Sequence, residues 1–206
     1  MLLRALLIIG LMIPGLLCAA PVILVFGDSL SAAYGIPRDA GWVSLLDQRL
    51  VKEKFDYQIV NASISGETTA GGLSRINAAL TEHRPAVVIL ELGANDGLRG
   101  LPLANMSNNL DKIITACQRK KARVLLIGMR LPPNYGMRYT QKFQDTYAAL
   151  AKQHKLPLVP FLLAGVEDEK YYQADRLHPT AEAQPQILNA IWAALHPMLK
   201  QKSTQP

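Results

Sequence analysis

Cysteine is nearly absent: the 206 residues hold two, Cys18 and Cys117. Cys18 falls in an N-terminal segment that reads as a removable leader. The remaining chain then keeps one thiol, so no intramolecular disulfide is available even in a compartment that permits one. Cys117 stands in a helical pattern beside Ile113 and Ile114, the setting of a buried, inert thiol. Metal-ligand spacings are missing as well, with no His-Glu-x-x-His and no Cys-x-x-Cys, so no metal is expected. There is no Gly-rich phosphate loop, and no cofactor is expected. The Gly-x-Ser-x-Gly elbow is also absent, which argues against the ordinary α/β-hydrolase fold. Low-complexity tracts, internal repeats and linkers are lacking, which leaves one domain over residues 21–200 and a short tail at 201–206.

Charge is sparse, at 18% of residues, with a formal net of +6 at pH 7. The basic residues are scattered: Lys52, Lys54, Arg75, Arg84, Arg99, Lys120, Lys121 and Arg123. No aromatic residues interleave with them, so nucleic acid is not an expected partner. The excess suits solubility, or attraction toward anionic substrates and membrane surfaces. A monomer that touches membrane lipids only transiently is the expectation.

Residues 1–20 read as a secretory signal peptide. Arg4 gives the positive start, Ala5 to Ile13 is apolar, Pro14-Gly15 breaks the run, and Cys18-Ala19-Ala20 offers small residues for cleavage. The mature protein is expected in the periplasm or outside the cell. A cut after Ala19, a retained anchor and a lipid anchor on Cys18 are the alternatives.

Past the leader, Val22 to Phe26 is a short, wholly apolar run of the kind buried on both faces of a parallel sheet. Comparable runs follow at 58–61, 86–92, 124–129 and 156–161. Helical stripes lie between them. They are Trp42, Leu45, Leu46 and Leu50; Leu73, Ile76 and Leu80; Leu110, Ile113, Ile114 and Cys117; and Tyr139, Phe143, Tyr147 and Leu150. A last stripe runs from Ile187 to Leu199, with Pro197 expected to kink it near its end. Alternation of this kind predicts an α/β class protein. Its form is a three-layer α/β/α sandwich around a five-stranded, mainly parallel, flavodoxin-like sheet. Sites in such sheets form beyond the carboxyl ends of the strands.

The residues at those ends carry chemistry. Gly27-Asp28-Ser29 follows the first run directly, and the residues after it can open toward a helix. A serine hydroxyl is a weak nucleophile until an imidazole takes its proton, and the imidazole needs a carboxylate to orient it. Asp175-Arg-Leu-His178 places both groups in one loop after the last run. His83 and His154 instead close helical patterns, and His196 precedes a proline. An oxyanion needs donors. Ile64-Ser65-Gly66 offers a backbone N–H, and Gly93-Ala94-Asn95-Asp96 offers a side-chain amide. Taken singly, each segment also reads as a plain turn or a cap.

In order and spacing, the four segments resemble the SGNH (GDSL) hydrolase superfamily across residues 22–200. The blocks are Gly-Asp-Ser29-Leu, Gly66, Gly-Ala-Asn95-Asp and Asp-x-x-His178-Pro. The closer similarity is to the bacterial thioesterase I, arylesterase and lysophospholipase group. It rests on the segments 61–66, Glu91-Leu-Gly, 95–100 and 130–136. Ala94 departs from the usual glycine. The resemblance implies a triad of Ser29, Asp175 and His178. It also implies an oxyanion hole from Ser29 N–H, Gly66 N–H and the Asn95 amide. A secreted serine esterase acting on carboxylic esters and thioesters, through an acyl-serine intermediate, is therefore expected. Its substrates would be small acyl esters or thioesters: arylesters, acyl-CoA thioesters and lysophospholipids. Leu98, Leu101 and Tyr135 are expected to shape the acyl groove. The alternatives are an acetylesterase of the same superfamily and a non-catalytic flavodoxin-like module.

Mass spectrometry of exported protein should give a mature start near Ala20 or Pro21. An intact Met1 would overturn the leader.

Overall fold

The computed structural model describes residues 20–199. Apart from Ala20, the expected leader lies outside the described residues, as does the tail. The five runs become strands β1 (Val22–Gly27), β2 (Gln58–Asn61), β3 (Val87–Glu91), β4 (Arg123–Ile127) and β5 (Leu158–Val159). All pair in parallel, in the order β2-β1-β3-β4-β5. The central strands β1 and β3 are apolar because helices cover both their faces. The edge strand β2 is only half buried, and its sequence, QIVN, is correspondingly polar at both ends.

Among the described residues, six α-helices flank the sheet: α1 (Trp42–Lys52), α2 (Thr69–His83), α3 (Ala94–Leu98), α4 (Leu103–Arg119), α5 (Met137–His154) and α6 (Gln184–Leu195). α1 packs on α6, while α2, α4 and α5 pack in series, which makes the two outer layers. Each helix except the short α3 buries its apolar stripe. On α4 these residues are Met106, Leu110, Ile113, Ile114 and Cys117, and burial pushes the Cys117 thiol up to about 12, so it stays protonated and unreactive.

Three elements differ from the expectation. β5 is two residues long rather than six. Pro157 and Pro160 bracket it, and neither has an N–H to extend the ladder. The segment after Ser29 forms consecutive turns over residues 29–35, and the first α-helix begins only at Trp42. The Gly93-Ala94-Asn95 segment opens α3, a five-residue helix too short to show a periodic stripe. At the C-terminal end, α6 stops at Leu195, and Pro197 sits in a 3₁₀ turn from His196 to Met198.

Gly128, just past β4, lies against backbone. A Cβ there would stand 2.5 Å from the Pro160 carbonyl oxygen and 3.1 Å from that of Val159. Gly128→Ala should force β5 away from β4 and lower stability by about 1–3 kcal/mol. Urea unfolding measures this, and an unchanged midpoint would contradict it.

Candidate active site

Ser29 stands two residues past β1 on a turn fixed from several sides. Ala32 N–H donates to the Asp28 carbonyl (3.0 Å) and Tyr34 N–H to the Ser29 carbonyl (3.2 Å). From outside the turn, Asn61 Nδ2 donates to the Ser31 carbonyl (2.8 Å), and Trp42 Nε1 donates to that of Leu30 (3.1 Å).

His178 arrives from the opposite end of the chain. Its loop is closed by an antiparallel bridge between Tyr172 and Pro179. Gln173 Nε2 donates to the carbonyls of Tyr34 (2.9 Å) and Pro179 (3.0 Å), which ties the loop to the Ser29 turn. His178 Nε2 then lies 2.8 Å from Ser29 Oγ, and Nδ1 lies 2.6 Å from Asp175 Oδ2. The other carboxylate oxygen of Asp175 accepts the backbone N–H groups of Leu177 (2.9 Å) and His178 (3.0 Å). Those donors, with the imidazole, pull Asp175 down to about 2. An ionised Asp175 assigns the proton to Nδ1 and leaves Nε2 as the acceptor for the serine hydroxyl. The Tyr34 ring lies 4.4 Å from the imidazole, centroid to centroid, and limits its rotation. Tyr34 was not marked by the sequence, because it belongs to no motif and meets His178 only through the fold. The remaining histidines are engaged elsewhere: His154 with Asp111 (2.7 Å), His83 near Glu82 (3.8 Å), and His196 against Phe55 and Trp192.

Asn95 lies in the first turn of α3, and its Nδ2 donates to Asp28 Oδ2 (3.0 Å). That contact fixes the amide beside Ser29. Gly93 before it adopts φ 117°, where a side chain is disfavoured and a Cβ would strike the Tyr147 hydroxyl. Gly66, at φ 78°, is exposed; its carbonyl accepts from Arg99 Nη2 (2.9 Å), which links its loop to the end of α3. Asp96 makes a second link. It is buried and accepts from Thr69 N–H (2.8 Å) and Thr69 Oγ1 (2.5 Å) at the start of α2.

A cavity of about 320 Å³ opens beside Ser29, Asn95 and His178. Its walls are mostly apolar, formed by Leu30, Leu98, Met129, Leu131, Phe161 and Leu163, with Arg130 and Arg176 also lining it. The Arg130 guanidinium sits 4.8 Å over the Phe161 ring. Of the three residues expected in the groove, only Leu98 lines this cavity. Tyr135 turns its hydroxyl onto the Leu98 carbonyl (2.9 Å), so it braces α3 from behind. Leu101 is 38% exposed, and its carbonyl accepts from the Tyr139 hydroxyl (3.0 Å). The chain leaves α3 after Leu98 and turns at Gly100, whose φ is 63°, so residue 101 lies beyond the helix that places residue 98 at the cavity.

Serine, imidazole and carboxylate in series at the carboxyl edge of a parallel α/β sheet define a serine hydrolase on a flavodoxin-like frame. The chain belongs to the GDSL-like lipase/acylhydrolase family, whose profile matches residues 25–184. It is 49% identical to the esterase TesA of Pseudomonas aeruginosa over 95% of this chain and 100% of that protein. It is 39% identical to the thioesterase 1/protease 1/lysophospholipase L1 of Escherichia coli K12, over 90% of this chain and 88% of that one. A solved structure of TesA superimposes with a TM-score of 0.85 at 50% identity, covering 86% of this chain and 99% of that one. The chain is therefore an enzyme of this family, and the non-catalytic reading is set aside.

Asp96→Ala would leave the buried Thr69 N–H and hydroxyl without their acceptor. The expected loss is roughly 2–3 kcal/mol of stability. A denaturation midpoint unchanged from wild type would show that the link between α3 and α2 does not bear on the fold.

Proposed function

We propose that the protein hydrolyses carboxylic esters and thioesters of acyl chains longer than acetyl, with Ser29 as nucleophile. The observation that carries this reading is the 2.8 Å contact between Ser29 Oγ and His178 Nε2 at the mouth of an apolar cavity. His178 Nε2 takes the hydroxyl proton as Oγ attacks the acyl carbonyl carbon. The resulting oxyanion is held by Ser29 N–H, Gly66 N–H and the second N–H of the Asn95 amide. The tetrahedral species collapses, the bond to the alcohol or thiol breaks, and His178 returns its proton to the leaving group. Water then adds to the acyl-serine, gives its proton to His178, and the acid departs as Oγ recovers that proton. Asp175 keeps the imidazole in the required tautomer throughout.

The names of the relatives support both oxygen and sulfur esters: one is an esterase, the other a thioesterase and lysophospholipase. The apolar lining suits an acyl chain, with Leu98 against it. The leader read in residues 1–20 supports action in the periplasm or beyond the cell.

Ser29→Ala should abolish fluorophosphonate labelling and turnover. Asn95→Ala should lower kcat by about 10²–10³-fold with little change in KM. p-Nitrophenyl esters of medium chain should outrun the acetate ester, and Leu98→Ala should narrow that gap roughly tenfold. Asp175 stays ionised until pH nears about 2, so its orienting charge should not limit kcat/KM above that value. A labelled protein that prefers acetate would point to an acetylesterase. An unlabelled wild type would overturn the proposal.

A further inference from the structure

Beneath Ser29 lie two carboxyl groups that the reaction just described does not use. Asp28 and Glu91 are both fully buried, at 0% exposure. The parallel register sets Gly27 opposite Glu91, so the Glu91 side chain enters the turn that carries Ser29. Glu91 Oε2 accepts the Asp28 N–H (3.2 Å) and the Ser31 hydroxyl (2.7 Å), whereas Oε1 is buried with no partner. Among the described residues neither carboxyl has an ion-pair partner. The nearby Arg75 stacks on Phe26 and pairs with Glu67. A glutamate anion with one bare oxygen would carry a large desolvation penalty here. A neutral acid avoids that penalty, and its proton has an acceptor: the Glu91 and Asp28 carboxyls share a side-chain hydrogen bond that favours the proton on Glu91 and the charge on Asp28.

Asp28 shows the opposite pattern. Oδ1 accepts the Leu30 N–H (3.1 Å) and Oδ2 accepts Asn95 Nδ2 (3.0 Å). Both oxygens are loaded as acceptors, as a carboxylate's would be. Burial raises both groups, Asp28 to about 6 and Glu91 well above its ordinary range, with the Asp28 charge adding to the rise at Glu91. Other titratable groups facing the pair are His178, Asp96 and Tyr147, whose hydroxyl is held on the Leu92 carbonyl (3.0 Å).

We propose that Glu91 is a positioning residue, kept as the neutral acid at working pH, so that Asp28 alone is the anion that holds the Asn95 amide toward the oxyanion. Loss of its proton would set a second negative charge under the developing oxyanion and push against Asp28. The Asn95 amide would lose its anchor, and kcat would fall on the alkaline side with little change in KM. This rests on the roles given above to Ser29 and Asn95.

The test follows the carboxyl carbon of Glu91 by NMR in the full chain labelled with ¹³C-glutamate, with Glu91→Asp used for assignment. The Glu91 carboxyl should be protonated at pH 7 and ionise only at higher pH; a carboxylate signal at pH 7 overturns the inference. Glu91→Gln keeps a neutral group that can accept from Asp28 N–H and Ser31. It should retain kcat within about threefold at pH 7 and lose the alkaline decline of kcat seen in wild type. A wild-type kcat without alkaline decline, or a Glu91→Gln profile that keeps it, also overturns the inference. Stability gives a third readout. The native state holds the Glu91 proton above its ordinary value of 4.5, where the unfolded chain releases it, so wild-type stability falls as pH rises from there and Glu91→Gln should flatten that fall. If Glu91→Gln does not fold, the wild-type NMR titration decides alone. Fluorophosphonate labelling of wild type separates the two readings. Labelled Ser29 with an ionised Glu91 sinks this inference only, while an unlabelled Ser29 sinks the proposed function and with it the catalytic part of this one.

Discussion

The parallel pairing of β1 with β3 at the centre of the sheet is the constraint on which the site depends. Because every strand runs the same way, the turns leaving β1, β3 and β4 all open at one edge. The register then sets which residues meet there: Gly27 faces Glu91, two residues short of Gly93 and four short of Asn95. Gly27 has no room for a side chain, since a Cβ would lie 2.7 Å from Glu91 Oε2 and 2.8 Å from Ser31 Oγ. A slip of one residue would exchange the two faces of a strand and move Glu91 away from Gly27 and the turn that carries Ser29. The site therefore inherits its precision from the best-buried part of the molecule rather than from its loops.

The loops are tied to one another as well as to the sheet. Arg99 joins the end of α3 to Gly66, Asp96 joins its first turn to α2, and Tyr135 holds it from the β4 side. Gln173 fastens the His178 loop to the turn after Ser29. Each bond spans segments remote in sequence, so no single turn can shift without straining its neighbour. Catalysis by fixed donors needs such preorganisation, because reorienting a dipole during the reaction would return much of its benefit.

Three carboxyl groups near one serine are held in different states by their surroundings. Asp175 is partly exposed and takes two backbone donors, so it is anionic over nearly the whole pH range. Asp28 and Glu91 are excluded from water and shifted the other way. Chemically alike groups thus come to serve different ends through burial and donor count.

The five strands, the main helices and the segments that supply Ser29, Asp175, His178, Gly66 and Asn95 are legible in the amino-acid order. Those signals are local: apolar runs, a 3.6-residue period, and short motifs whose residue types state their chemistry. The short α3 left no such mark, because five residues complete too little of a turn pattern to be read. The two prolines that curtail β5 were in plain view, yet their effect depends on the ladder they interrupt. Other contacts arise only from the folded arrangement: Tyr34 leans on His178, Leu98 lines the cavity while Leu101 and Tyr135 do not, and Asp28 meets both Asn95 and Glu91. Asp28 and Glu91 are 63 positions apart along the chain. Their contact, and the proton economy that follows from it, exists only once the sheet has aligned β1 with β3 and removed both from water.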